Sequence, residues 1–148
     1  MDNELDKEVD TLARTLWGEA RGAGDEEMRA VASVISNRVQ VARSYQTTHA
    51  TSHPLFGDGT FTNCCRRNLQ FSCWNANDPN RSKLLGVDDS DPQFEIALEI
   101  AGQALAGTLE DNTDGATHYY ERHIRPPEWA HGKTPCARIG NHLFFRDI

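Results

Sequence analysis

The 148-residue sequence lacks any apolar run near the ~18 residues that a membrane-spanning helix needs. That excludes membrane insertion by a helix. None of its four cysteines, Cys64, Cys65, Cys73 and Cys136, form a C-x-x-C pair, which argues against a zinc ribbon or a thioredoxin-type site. They are expected to be buried thiols, or to form one or two disulfides after export. A bridge from Cys73 to Cys64 or Cys65 is sterically plausible. No G-x-S-x-G elbow is present, so serine-nucleophile chemistry of that type has no frame. Cations are in deficit, with 15 Lys and Arg against 22 Asp and Glu. The net charge of −7 argues against nucleic acid as a main partner, because such binding rests on neutralising phosphates. Only Arg66, Arg67, Arg81 and Lys83 make the middle stretch locally basic, which reads as a solvated loop. The N-terminus, Met1-Asp2-Asn3-Glu4-Leu5-Asp6, has no apolar h-region of a signal peptide. A soluble chain made in the cytoplasm is therefore expected.

What is present fits one domain over residues 1–148, without repeats or low-complexity tracts. A chain this long buries about 70% of its unfolded surface, enough for one core without staples. Leu5, Val9, Leu12, Ala13, Leu16, Trp17 and Ala20 recur at spacings of three and four. They predict a first helix over 5–20, stopped by Gly22 and Gly24. A second helix is predicted from Asp25 to Ala42, its acidic start suited to the positive end of the helix dipole. Met28, Val31, Ile35 and Val39 form its apolar face. Asp91 as N-cap and Pro92 at the first turn open a third helix, with Gly107 as its stop. Between Arg43 and Asp91 periodicity fades, and a connection this long is usually functional. A short helix near Leu84 and a small strand near Phe71 are expected inside it. From Ala116 to Tyr120 and from Arg138 to Arg146 the pattern reads as strands, with Gly140-Asn141 as a turn and Pro126-Pro127 as a break. The fold class is therefore α+β, mainly helical, with a small β element near the C-terminus.

Glu19 is the first candidate for chemistry. It lies at the edge of the first helix's apolar stripe and close to the helix C-terminus. The negative dipole end and partial desolvation both raise a carboxyl pKa there. A glycosidase needs such an acid, protonated near neutral pH, to protonate the leaving oxygen. The competing reading, a surface Glu stabilising a helix end, is weak because a carboxylate is unfavourable at that end.

Trp17-Gly18-Glu19-Ala20-Arg21-Gly22 resembles the G-E-A-R-G signature of SleB-type cell-wall hydrolases. The stretch from Met28 to Val39, with Ala32, Ile35, Asn37 and Arg38, resembles the helix that follows it there. Gln70-Phe71-Ser72-Cys73-Trp74, Gly115-Ala116-Thr117-His118-Tyr119 and Ile139-Gly140-Asn141-His142 with Phe144-Phe145 are similar to three further blocks of that family. Tyr120 stands where a His is expected, and Cys65 is an extra cysteine. The resemblance implies a lysozyme- and lytic-transglycosylase-like fold. It implies cleavage of peptidoglycan glycan strands between N-acetylmuramic acid and N-acetylglucosamine, with Glu19 as catalytic acid. Gln70 and Ser72 are candidates to bind N-acetyl or hydroxyl groups, with Thr117 beside them. Trp74 and Tyr119 are candidates to stack on sugar rings, although an aromatic next to a Cys is as often core. His118 is a candidate to orient Glu19 or donate to substrate, and His142 to support that wall. Both also read as structural histidines.

A hydrolase needs a second carboxylate, ~5 Å away if retaining and ~6.5–9.5 Å away if inverting. Asp58, Asp78, Glu121 and Glu128 are candidates, but none sits in a matching block. A lytic transglycosylase needs one carboxyl group, so formation of 1,6-anhydromuramic acid is expected, with a hydrolytic muramidase as the alternative. No cofactor and no metal are expected. A zinc enzyme built from His49, His53, His118, His123, His131 or His142 is the first rival, but His49 and His53 lack the Glu of H-E-x-x-H. A non-catalytic glycan-binding module is the second, and it would tolerate loss of Glu19. A monomer is expected, acting on the wall after release, in a setting such as a phage endolysin.

Overall fold

The structure, a computed structural model, describes residues 3–67 and 70–148. Five helices carry the body: α1 (Asn3–Ala20), α2 (Asp25–His49), α3 (Phe61–Arg66), α4 (Pro79–Gly86) and α5 (Pro92–Ala106). Three strands follow: β1 (His118–Glu121), β2 (Ala137–Ile139) and β3 (His142–Phe145). They form one antiparallel sheet in the order β1-β3-β2. Among the described residues, no helix is long and apolar enough to cross a membrane.

Helix α1 is the hub. Its buried face carries Leu12, Ala13, Leu16 and Trp17 and packs against α2, α3, α4 and α5. Leu5 was expected on this stripe but is exposed, because it lies in the first turn, ahead of the partners that cover the stripe. Arg14 donates to the carbonyls of Leu84 and Val87, satisfying orphan acceptors at the end of α4. Glu8 accepts the Phe61 N–H at 2.6 Å and does the same for a donor opening α3.

Helix α2 runs to His49, seven residues past the predicted end at Ala42. The extension carries almost no buried surface, so the apolar stripe could not signal it. Thr47, Thr48 and His49 contact carbonyls four residues back, and Ala50 ends the helix in the left-handed region. Helix α5 starts and stops as predicted: Asp91 accepts the Gln93 and Phe94 N–H groups, and Gly107 closes the helix at φ +76°. The short helix at Leu84 is α4, capped by Asp78. The expected strand at Phe71 is instead a 3-10 turn over Ser72–Trp74, where the Trp74 and Asn75 N–H groups turn back to Phe71 and Ser72. The four cysteines are free thiols, with Cys64, Cys65 and Cys73 buried.

The sheet packs on α2. Ala30 and Val34 meet Ala116, Ile139 and Phe144 in a second, smaller core. The register pairs Tyr119 with Phe144 and His118 with Phe145. Successive side chains of β1 therefore face opposite sides of the sheet. Tyr119 points toward the helices, while His118 and Tyr120 both meet Trp129 on the other side.

Candidate active site

Glu19 is the penultimate residue of α1 and is half-buried. Tyr119 donates its hydroxyl to Glu19 Oε1 at 3.0 Å. Cys73 also hydrogen-bonds the Glu19 carboxyl. This close approach of the 72–74 turn depends on Gly18. A Cβ at Gly18 would sit 2.9 Å from both Cβ and Sγ of Cys73. The glycine before the acid is thus a packing requirement.

Burial raises the Glu19 carboxyl above its ordinary value. The Tyr119 and Cys73 hydrogen bonds, and His142 when charged, pull it back, while the Asp78 carboxylate pushes it up. Burial and the nearby Glu19 charge raise both the Tyr119 phenol and the Cys73 thiol. Both therefore stay protonated and act as donors. Glu19 is a carboxyl that resists ionisation yet has two donors ready to receive its negative charge.

The wall behind Tyr119 is built by a second carboxylate, Glu27, in the first turn of α2. It is only 7% exposed. Its Oε1 accepts the Asn141 N–H at 3.1 Å, and its Oε2 lies 2.9 Å from Nδ1 of His142. The His142 ring meets Tyr119 edge-on at 5.4 Å. Gly140 makes room for this pair: a Cβ there would fall 1.4 Å from Glu27 Oε1. Gly140 read as a turn residue in sequence. Glu27 read as one of three acids at a helix start, and nothing marked it as different from Asp25 or Glu26.

Arg38 carries part of the family resemblance in sequence, but its role at the site shows only in the fold. It is 6% exposed and donates to the Thr117 carbonyl at 2.7 Å and to Gln70 Oε1 at 3.3 Å. Its guanidinium lies 5.2 Å from the Phe56 ring centre and 5.4 Å from that of Phe71. A signal existed: Arg38 is three residues after Ile35, which places it beside the buried stripe of α2. Through Arg38, Gln70 and Thr117 are held near β1 and its Tyr119. Arg21, the last cation of the G-E-A-R-G block, lies 4.0 Å over Trp17 and donates to Asn80 Oδ1 at 2.7 Å. It ties the end of α1 to α4.

The remaining candidates fall in different places. Ser72 is exposed in the 3-10 turn. Trp74 is half-buried, donates Nε1–H to Thr15 at 2.8 Å, and has Arg66 4.2 Å over its ring. His118 does not orient Glu19, because strand alternation turns it away from Tyr119. It contacts Thr117 Oγ1, Phe56 and Trp129 instead. Burial and Arg38 push its pKa down to about 4, so it is neutral at pH 7. Among the described residues, no group of three His, Cys, Asp or Glu side chains could hold a metal ion. His49 contacts the Tyr45 carbonyl, and His53 accepts from the Leu55 and Phe56 N–H groups.

Of the other carboxylates considered, Asp58 is engaged by Thr60 and Asn63, and Glu121 by the His123 N–H. Glu128 is exposed in a 3-10 turn. Asp78 alone of the four acts on Glu19 electrostatically, and its Oδ1 is committed to the Asn80 N–H at the start of α4.

Comparison with known proteins agrees with this architecture. The catalytic domain of the germination-specific lytic transglycosylase SleB from Bacillus anthracis superposes with a TM-score of 0.68 at 20% identity, covering 99% of this chain and 97% of that one. The catalytic domain of the Bacillus cereus SleB protein gives 0.66 at 20% identity, covering 95% and 91%. These likenesses establish the fold. No protein with a curated description matches the chain. The sequence profile of the cell wall hydrolases matches residues 22–145, beginning just after Glu19 and taking in α2, the Gln70–Trp74 block and all three strands. By that match, the chain belongs to the cell wall hydrolase family.

Proposed function

We propose that this enzyme cleaves peptidoglycan glycan strands between N-acetylmuramic acid and N-acetylglucosamine as a lytic transglycosylase, with Glu19 as both acid and base. The observation that carries the reading is the environment of Glu19: a carboxyl raised by burial, with Tyr119 and Cys73 as donors. A protonated Glu19 gives its proton to the glycosidic oxygen as the C1–O bond breaks. The resulting carboxylate is received by the phenol and the thiol. It then takes the proton of the muramic acid 6-hydroxyl, whose oxygen bonds to C1 and closes a 1,6-anhydro ring. No water enters, and Glu19 ends protonated as it began.

Gln70, Thr117 and Ser72 supply polar contacts for N-acetyl and hydroxyl groups in this scheme. Tyr119 is a donor to the acid rather than a sugar platform. Trp74 presents an edge to the glycan, since Arg66 covers part of its ring. His142, held by Glu27, positions Tyr119.

A hydrolytic muramidase is favoured by one observation, the electrostatic effect of Asp78 on Glu19. An ionised Asp78 would then activate water. The two readings separate by product analysis. Incubating purified peptidoglycan with the enzyme and reading soluble muropeptides by mass spectrometry is expected to give 1,6-anhydro ends. Reducing muramic acid ends alone, lost in Asp78→Asn, would establish hydrolysis instead.

A further inference from the structure

The net charge of −7 is unevenly spread. Residues 43–86 hold Arg43, Arg66, Arg67, Arg81 and Lys83 against only Asp58 and Asp78. An open groove of about 730 Å³ lies on this stretch, lined by Ser52, Asp58, Asn63, Arg66, Arg67 and Gln70 among others. Asp58 is ion-paired to neither arginine, and its single charge leaves the groove in cationic excess. Its Oδ1 accepts from the Thr60 N–H and hydroxyl, and its Oδ2 from Asn63 at 2.7 Å. Arg66 and Arg67 are exposed and have no carboxylate partner among the described residues. Both are nonetheless held in place: Arg66 lies 4.2 Å over the Trp74 ring, and Arg67 donates to the Pro54 carbonyl. A guanidinium has five N–H donors in a rigid fork that matches a carboxylate. Most of those donors are still available here.

Two chains of contacts link the groove to the acid. Gln70 lines it and also accepts from Arg38, which holds the Thr117 carbonyl. Arg66 covers Trp74, whose neighbour Cys73 touches Glu19. Where a stem is attached, the lactyl carboxyl of muramic acid is tied up as an amide, so the glycan itself offers nothing anionic to two unpaired guanidinium groups. Its peptide stems do, because they carry free carboxylates beside the muramic acid. We propose that the Arg66–Arg67 groove binds a stem-peptide carboxylate and makes the enzyme prefer peptide-bearing strands. This rests on the strand-cleavage reading above.

The test compares three substrates: whole peptidoglycan, the same material with its stem carboxylates converted to amides, and the same material freed of phosphodiester wall polymer. Each is given to wild type, to Arg66→Gln, and to the Arg66→Gln/Arg67→Gln double variant. Arg66→Gln alone keeps the Arg67–Pro54 contact, and thermal melts check that both variants fold. Wild type is expected to turn over strands with free stem carboxylates about tenfold faster by kcat/KM than amidated ones, as one charge-assisted hydrogen bond implies. The double variant loses that advantage: its ratio of kcat/KM on free-carboxylate strands to that on amidated strands falls close to one. Equal slowing on both substrates, or a wild type with no preference, overturns the proposal. A preference that vanishes with the phosphodiester polymer rather than with the free stem carboxylates also overturns it, and assigns the groove to phosphate. If wild type cuts none of the three, the strand-cleavage reading fails first and this proposal fails with it. In every other overturning result cleavage persists.

Discussion

Two glutamates eight residues apart in sequence occupy opposite ends of two consecutive helices, and the difference between them separates chemistry from architecture. Glu19 sits at the C-terminal end of α1, where the helix dipole opposes a negative charge. Its partners are a phenol and a thiol, both donors it can lose or regain as it titrates. Glu27 sits in the first turn of α2, where the dipole favours its charge. Both of its oxygens are engaged, by a backbone N–H and an imidazole, and Gly140 is shaped around it. One carboxyl is placed where giving up a proton is easy to reverse. The other is locked into the joint between helix and sheet.

The comparison is most sharply tested by removing each acid. Glu19→Gln keeps the shape but cannot carry a proton, and muropeptide release should fall about a thousandfold with folding intact. Activity within a few-fold of wild type would show that the acid lies elsewhere. Glu27→Ala should instead lower stability by about 3 kcal/mol, because it strips His142 and the Asn141 N–H of their buried partner. Urea unfolding measures this, and an unchanged midpoint would mean that the pair does not hold the joint. Tyr119→Phe tests the donor between the two regions. Its loss should cost about tenfold in rate, in line with one hydrogen bond to a charged group. The Tyr119 bond lowers the Glu19 pKa, so its loss raises it further. The alkaline limb of the pH–rate profile should therefore move to higher pH; a move to lower pH would reverse the assignment.

The smallest effect concerns stability and pH. Folding raises the Glu19 pKa above its ordinary 4.5, so the folded state holds a proton that the unfolded chain has released. Wild type then loses stability as pH rises from about 4.5 through the folded value, whereas Glu19→Gln does not. The melting temperature of the variant relative to wild type should climb across that window and level off above it. A flat difference would show that burial does not shift this group.

Helices with a buried stripe were legible in the sequence, as were caps with a chemical signature. α1 and α5 show this, and so does the β2–β3 hairpin around Gly140-Asn141. The end of α2 and the short α3 were not, since neither advertises itself by periodicity. The turn at Ser72–Trp74 looked like a strand because Phe71 and Trp74 are both good strand residues, and tertiary packing against Gly18 overrode that preference. At the site, Glu19 was visible because its position disfavours a carboxylate. The roles of Arg38, Glu27, Cys73 and Gly140 were hidden because each depends on a partner far away in the chain. His118 was misplaced for a related reason: facing direction on a short strand follows from register, which only the sheet reveals.

The hydrogen bond from Tyr119 to Glu19 joins residues 100 positions apart. The acid is made among the first residues of this sequence, and its phenol donor among the last thirty. In chain order Glu19 therefore precedes its donor by a hundred residues, and Glu27 precedes by more than that the Asn141 and His142 that hold it. The acid is complete only once β1 and β3 are packed on α2. A fragment lacking the β2–β3 hairpin would leave β1 without its partner strand and Glu27 without both of its hydrogen-bond partners.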